Sequence, residues 1–176
     1  NTDIIKNLNL NIPKGKITTI IGANGCGKST ILKTIGRIIS PNSGKIYING
    51  EDIYKKKSKE IAKDMAVLPQ SPQAPSGLTV SELISYGRFP HKSGFGNSSK
   101  EDREIVNWSL EVTGIAEFKD RNMEDLSGGQ RQRAWIAMAL AQETDILLLD
   151  EPTTYLDLAH QLEILKLLDE LNKKDR

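Results

Sequence analysis

A glycine-rich segment between an apolar run and a helix-forming run constrains the fold of this chain most. It reads Gly22-Ala-Asn-Gly-Cys-Gly-Lys-Ser-Thr30 and matches the pattern G-x-x-x-x-G-K-[ST]. The β-branched run 17–21 before it predicts a buried strand, and residues 28–38 after it predict a helix. In such a loop the backbone N–H groups point inward, and the helix N-terminus adds partial positive charge. The segment therefore predicts a phosphate-binding loop in an α/β protein.

The side chains of this loop are suited to a nucleoside triphosphate with Mg²⁺. Lys28 is expected to reach the β- and γ-phosphates, the Ser29 hydroxyl to bind Mg²⁺, and Thr30 to donate another hydrogen bond to phosphate. The predicted nucleotide contacts in the loop are Gly22, Asn24, Gly25, Cys26, Gly27, Lys28, Ser29 and Thr30.

Composition excludes several classes of protein. A chain of 176 residues with 38% apolar and 27% charged residues is an ordinary globular domain with one sizeable core. The net charge of +1 argues against a nucleic-acid partner. A single cysteine excludes an intrachain disulfide framework. No stretch approaches the roughly 18 apolar residues of a membrane span.

Strands and helices are predicted to alternate along the chain. Strands are expected at 8–12, 17–21, 45–48, 65–68 and 145–149, with a hairpin turn at Asn49-Gly50. Helices are expected at 28–38, 58–63, 79–88, 99–112 and 129–141, and after about residue 157. On the last helix, Leu158, Leu162, Leu165 and Leu168 share one face. The Pro-, Ser- and Gly-rich stretch 71–77 marks a boundary, after which the chain is mostly helical.

A second glycine-rich turn and an acidic strand end complete the chemistry. Leu126-Ser-Gly-Gly-Gln130 opens a helix, and the apolar strand that follows ends at Asp150 and Glu151. Ligands of open parallel sheets bind at the carboxyl ends of strands. Asp150 is therefore expected to hold Mg²⁺, mainly through water, and Glu151 to polarise an attacking water as the catalytic base.

These motifs, in this order, resemble the ATP-binding subunits of ABC transporters over the whole chain. The resemblance implies a RecA-like P-loop NTPase core with a mostly parallel sheet (1–70 and 142–176), an N-terminal antiparallel β part and a helical subdomain (71–141). It implies that two copies close head to tail around two ATP molecules. Ser127, Gly128, Gly129 and Gln130 would then face the γ-phosphate held by the partner. Gln70 would touch Mg²⁺ or its water, assist catalysis and link the core to the helical insert, and Asp157 would cross the dimer interface.

Three further segments resemble the iron-chelate branch of that family: Tyr86–His91, Arg131–Gln142 and Glu151–Asp157. This resemblance implies ATP hydrolysis at the cytoplasmic face of the membrane, energising uptake of ferric siderophores delivered by a binding protein. Gln70 and the region from Tyr86 to His91 would meet the membrane permease. Tyr86, Phe89 and Pro90 would form an apolar anchor with Arg88 beside it.

Other interpretations stay open at this point. The chain is alternatively a soluble ABC ATPase of DNA repair or translation, or an importer subunit for another cargo. A GTPase or kinase that shares only the phosphate loop is disfavoured by Leu126–Gln130 and the late Glu151. Within one chain the Ser127 turn is also interpretable as a plain helix cap. His91 and His160 are predicted to lie at the surface.

The family that the chain resembles has two nucleotide-binding groups for which these 176 residues offer no counterpart. One is an aromatic residue that stacks on adenine before the first strand, whereas no aromatic precedes Tyr47 here. The other is a γ-phosphate histidine on a strand downstream of Glu151. The segment by itself is therefore expected to bind ATP weakly and to hydrolyse it negligibly.

Overall fold

The computed structural model describes residues 4–92, 98–154 and 156–173. Its helices are α1 (Lys28–Ile35), α2 (Ser58–Asp64), α3 (Val80–Tyr86), α4 (Lys100–Val112), α5 (Gly128–Ala141) and α6 (Leu158–Lys173). Its strands are β1 (Tyr47–Ile48), β2 (Glu51–Asp52), β3 (Met65–Leu68) and β4 (Ile146–Leu149). In these parts of the chain, no helix is long and apolar enough to cross a membrane.

The parallel pair β3–β4 brings two distant parts of the chain to one sheet edge. Met65 pairs with Ile146 and Leu68 with Leu149, so both strands end at the same level. The Asp150 N–H extends the ladder by donating to the Leu68 carbonyl at 3.0 Å. The residues that follow the two strands are consequently neighbours, as the sequence predicts for the carboxyl ends of parallel strands.

A short antiparallel hairpin, β1–β2, lies apart from this pair. Asn49 and Gly50 connect the strands with φ of 52° and 82°. Two successive positive φ angles match the primed turns that suit the twist of a hairpin. The predicted hairpin is confirmed.

Three helices between the strands of the parallel pair share one core. α5 packs against both α3 and α4, and its Ile136 is fully buried among apolar residues of the two neighbours. Capping boxes fix the starts of α3 and α4, at Thr79 with Glu82 and at Ser99 with Asp102. The three predicted helices are confirmed, whereas the division of the chain at residue 70 stays a prediction.

The predicted strands at 8–12 and 17–21 are wrong at the level of local structure. Among the described residues neither segment pairs with a strand, and the side chains of Ile17 and Ile21 are 56% and 86% exposed. β-branched residues favour a strand only where a neighbouring strand and a packed face are present. Here the sheet partners that the pattern requires do not lie alongside these segments.

Two helix predictions also need correction. α1 ends at Ile35 instead of residue 38, because Gly36 caps it and Arg37 adopts a left-handed φ of 56°. On α6 the predicted stripe is split, because Leu158, Leu162 and Leu165 are exposed while Leu168 is half-buried against the helical core. The face carrying Ile164, Leu167 and Leu171 is buried against the helical core instead. The helix has apolar residues on more than one face, so periodicity alone does not select the buried one.

Candidate nucleotide site

The predicted phosphate loop has the backbone that its glycines permit. Gly25 and Gly27 adopt φ of 78° and 102°, a region that L side chains rarely enter. α1 begins directly after them at Lys28, whose Nζ donates to the carbonyls of Gly22 and Ala23 at 2.9 and 3.0 Å. The ammonium therefore lies against the loop, where a seated phosphate group would meet a positive charge.

The Ser29 hydroxyl connects this loop to the end of β4. Its Oγ donates to Asp150 Oδ1 at 2.9 Å, and Asp150 is only 7% exposed. A hydroxyl oxygen beside one carboxylate fits Mg²⁺, which takes few protein oxygens and completes its shell with water and phosphate. The structure thus brings together two of the three predicted metal-binding side chains.

Glu151 lies beside the predicted metal pair and is held from two sides. Gln70 Nε2 donates to Glu151 Oε2 at 2.6 Å, and Thr154 Oγ1 donates to the same oxygen at 2.9 Å. The backbone of Glu151 has φ of 50°, which is strained for a residue with a side chain. Gln70 therefore contacts the predicted base directly. Sequence reasoning missed Thr154, although a threonine three residues after the acid, in a Pro152-containing turn, is a usable signal.

The second glycine-rich turn forms a complete capping box. The Gln130 N–H donates to Ser127 Oγ at 3.3 Å, and the Ser127 N–H donates to Gln130 Oε1 at 3.0 Å. Ser127 and Gly128 are exposed, while Gly129 is buried. The helix-cap interpretation is correct within the chain, and it leaves the exposed N-terminus of α5 open to a ligand.

Asp157 joins the start of α6 to this turn through a histidine. Its carboxylate accepts from the backbone N–H of His160 at 3.0 Å and bonds to the ring Nδ1 at 2.8 Å. These contacts, the backbone one first, lower the pKa of Asp157. The ring of His160 lies over Gly129, where a Cβ would come within 2.7 Å of Cδ2. His160 is exposed as predicted, but its contact with the turn was not foreseen. The neighbouring Tyr155 lies outside the described residues.

The two glycine-rich turns make no direct bond with one another. No hydrogen bond or ion pair joins residues 22–30 to residues 126–130 in the part of the chain that the structure describes. Residues 22–26 of the first turn are exposed, and so are Ser127 and Gly128 of the second.

The surface position expected for the anchor holds for Tyr86 and Phe89 but is wrong for Arg88 and Pro90, and the permease contact itself stays a prediction. Tyr86 and Phe89 are 55% and 74% exposed, whereas the Arg88 side chain is only 4% exposed. Pro90 is buried. His91 is half-buried, although the sequence predicts a surface position for it. Arg88 turns inward because it pairs with Asp102 at 2.9 Å, an ion pair that exposed loop composition does not reveal.

Comparison with known proteins identifies the family. The family model described as "ABC transporter" matches residues 5–154, which include the phosphate loop, the Ser127 turn and Glu151. The chain belongs to the ABC transporter family. The α/β P-loop fold, with its parallel pair and its helical region, agrees with that assignment.

Relatives narrow the position of this ABC transporter chain. It is 69% identical over 171 residues to the iron(3+)-hydroxamate import ATP-binding protein FhuC of Bacillus subtilis, covering 97% of this chain and 64% of the relative. It is 50% identical over 171 residues to the ferric enterobactin transport ATP-binding protein FepC of Escherichia coli, covering 97% and 63%. The chain therefore spans less than two thirds of the length of these two curated relatives.

Solved structures of ABC transporter cassettes share the fold. The dimeric structure of MJ0796, a bacterial ABC transporter cassette, matches with a TM-score of 0.84 at 34% identity. The match covers 98% of this chain and 76% of the other.

Proposed function

We propose that this chain is the nucleotide-binding part of an ABC importer subunit that binds and hydrolyses ATP to energise uptake of ferric siderophores. The observation that carries the proposal is the single sheet edge where Ser29 bonds to Asp150 and Gln70 bonds to Glu151. This edge combines a phosphate loop, a metal-binding pair and a base. The names of FhuC and FepC support the ferric cargo, which this part of the subunit need not touch.

The residues at this edge divide the reaction among them. Lys28 and the loop N–H groups bind the phosphates, and Ser29 with Asp150 would hold Mg²⁺, which supplies neutralisation of the phosphate charge when bound. Glu151 accepts a proton from the attacking water. Gln70 and Thr154 position the Glu151 carboxylate through its Oε2.

A second copy of the chain completes each ATP site. Ser127, at the N-terminus of α5, is exposed and makes no hydrogen bond to the phosphate loop of the same chain among the described residues. In a head-to-tail dimer they would reach the γ-phosphate bound by the partner. The dimeric cassette of MJ0796 supports this arrangement.

The membrane partner would bind at the exposed aromatic side chains beside α3. Tyr86 and Phe89 supply an apolar anchor for a permease at the cytoplasmic face of the membrane. Gln70 follows the end of β3, and it would transmit a structural change at this contact to Glu151. The word "import" in the name of FhuC supports a membrane partner, to which a separate binding protein would deliver the cargo.

Calorimetric titration of the full-length protein with Mg-ATP tests the nucleotide site. Lys28→Ala should leave no resolvable heat, because a charge-assisted contact to phosphate is worth about 1.5–3 kcal/mol, or roughly tenfold to 150-fold in affinity. The matched control is Lys33→Ala, an exposed lysine on the same helix. Near-normal affinity of Lys28→Ala would remove the loop from nucleotide binding.

Affinity purification from membranes separates transport from a soluble role. A tagged full-length protein should retain membrane subunits, and Phe89→Ala should weaken that retention. Recovery of nucleic-acid or ribosomal partners, with no membrane subunit, would favour the soluble ABC ATPase instead.

A further inference from the structure

Residues 87–91, which follow α3, cap the C-terminal end of α5, the helix whose N-cap is Ser127. The last carbonyls of a helix have no partner within it. Arg88 Nη1 donates to the Ala141 carbonyl at 2.8 Å, and His91 Nε2 donates to the Gln142 carbonyl at 2.8 Å. Both side chains come from residues 87–91, directly beside the exposed Tyr86 and Phe89.

Arg88 is the centre of this contact. Its Nε donates to Asp102 on α4 at 2.9 Å, and its Nη1 also reaches Glu143 at 2.8 Å. One guanidinium thus connects α3, α4 and the end of α5 from a position that is almost fully buried. A cation at a helix C-terminus is also favoured by the helix dipole. The guanidinium makes these bonds from two separate nitrogens, Nε and Nη1, whereas an ammonium would have to donate all of them from a single nitrogen.

The backbone of the segment contacts the same helix end. A Cβ at Gly87 would lie 2.2 Å from the Met138 carbonyl, so the two backbones are in direct contact. Gln142 continues the connection by donating to the carbonyls of Ala62 and Met65 at 2.6 and 3.0 Å. The end of α5 is thereby fixed to residues 87–91 on one side and to the start of β3 on the other.

We propose that Arg88 and His91 form a clamp that transmits movement of the permease-facing segment along α5 to the turn at Ser127. The clamp rests on the proposed function, because that function places the permease at Tyr86 and Phe89. α5 has 14 residues and spans about 21 Å as a continuous helix. Movement at the clamped end therefore displaces the turn that would contact the ATP of the partner.

The test compares basal with permease-stimulated ATP hydrolysis of the full-length protein. Membrane subunits that co-purify with it are placed in lipid nanodiscs, and stimulation is the ratio of the rates with and without them. Arg88→Lys keeps the charge and loses the fork. Arg88→Met combined with Asp102→Asn removes both charges of the buried pair, and the amide oxygen of the new asparagine can still accept from the Ser99 N–H that caps α4. Arg103→Lys, at an exposed arginine of α4, is the matched control.

If the clamp transmits movement, its variants should lose only the stimulation of ATP hydrolysis by the permease. Both clamp variants should keep the KM for ATP and the basal rate, while stimulation falls about fivefold or more, the usual lower size of an allosteric effect. The control should behave as wild type. If Arg88→Lys fails to fold, the double variant decides, with its melting temperature measured alongside.

Two results would overturn the inference. Full stimulation in a folded clamp variant would show that Arg88 only stabilises the helical region. Equal losses of basal and stimulated hydrolysis would show the same. A wild-type protein that hydrolyses no ATP, or retains no membrane subunit, would refute the proposed function itself and the clamp with it.

Discussion

At the scale of single residues, Glu151 is the side chain on which catalysis is expected to depend. Glu151→Gln keeps the shape and an oxygen that accepts from Gln70 and Thr154, but it loses the base. We expect ATP binding to persist while phosphate release falls about 100-fold or more. ATP should then hold the full-length variant as a stable dimer on size exclusion.

The control for that substitution is Glu117→Gln, at an exposed glutamate outside the site. It should hydrolyse ATP as wild type does. Hydrolysis by Glu151→Gln within about twofold of wild type would exclude Glu151 as the base.

Cys26 gives a chemical test of the phosphate loop. The thiol is exposed, and its Sγ lies where a Cβ on Gly22 would come within 2.7 Å. A maleimide adduct would fill the space that phosphate requires, so Mg-ATP should slow labelling of the Cys26 peptide, measured by mass spectrometry. Protection should vanish in Lys28→Ala. Equal labelling of the wild type with and without Mg-ATP would place the thiol away from the nucleotide.

The sequence predicts residues well where a motif fixes them through local geometry. Ser29 and Asp150 are 121 positions apart, yet they bond directly. The loop pattern indicates the role of Ser29, and the acidic strand end indicates the role of Asp150. The contacts of Arg88 with Asp102 and of His160 with Gly129 were not foreseen, because these residues lie in different elements with no characteristic spacing. Such tertiary contacts are not encoded by any local pattern.

At the scale of elements, the buried ion pair between Arg88 and Asp102 of α4 makes the stability of the protein depend on pH. The hydrogen bond that Arg88 donates lowers the pKa of Asp102 from 3.8 to about 2. Because the folded-state pKa is the lower one, the pair stabilises the protein above about pH 4, and this stability is lost as the pH falls toward 2. Asp102→Asn should lower the free energy of unfolding most above pH 4.

Urea denaturation across that range measures the effect. The difference between wild type and Asp102→Asn should shrink toward pH 2, whereas the exposed Asp120→Asn should show little difference throughout. A difference that grows on acidification would contradict the assigned pair.

The contact between α5 and α6 predicts non-additive stability. Gly129→Ala places a methyl group against the His160 ring and should lower the melting temperature. His160→Ala removes the obstacle, so the double variant should recover part of the loss, by about 0.5 kcal/mol or more of coupling. Strictly additive changes would indicate that the ring moves aside freely.

The helices and strands that the sequence predicts correctly are those whose determinants lie within a few neighbouring residues. The starts of α3 and α4 and the Asn49-Gly50 hairpin were predicted correctly, because each is decided within a few residues, the helix starts by capping boxes and the hairpin by its turn. The strand at 17–21 was not, because a strand also requires a neighbour for its backbone. The buried face of α6 was missed for a similar reason, since the helical core against which α6 packs determines which apolar stripe faces inward.

At the scale of the whole molecule, the proposed dimer builds each ATP site from the phosphate loop of one chain and the Ser127 turn of another. Its structural basis is that both turns have exposed residues and that no hydrogen bond joins them within the described chain. A head-to-tail dimer is an arrangement in which each chain contributes a different half to each of two equivalent sites.

Mixing two inactive variants of the full-length protein tests whether the ATP site is divided between two chains. Lys28→Ala disables the loop, and Ser127→Arg blocks the turn, so each alone should release phosphate at a background rate. In a mixed dimer one site combines the intact loop with the intact turn. Equimolar mixing should therefore restore about a quarter of the wild-type rate, since half of the dimers are mixed and each has one sound site. A mixture as inactive as its components would contradict the account, because it would place the whole site within one chain.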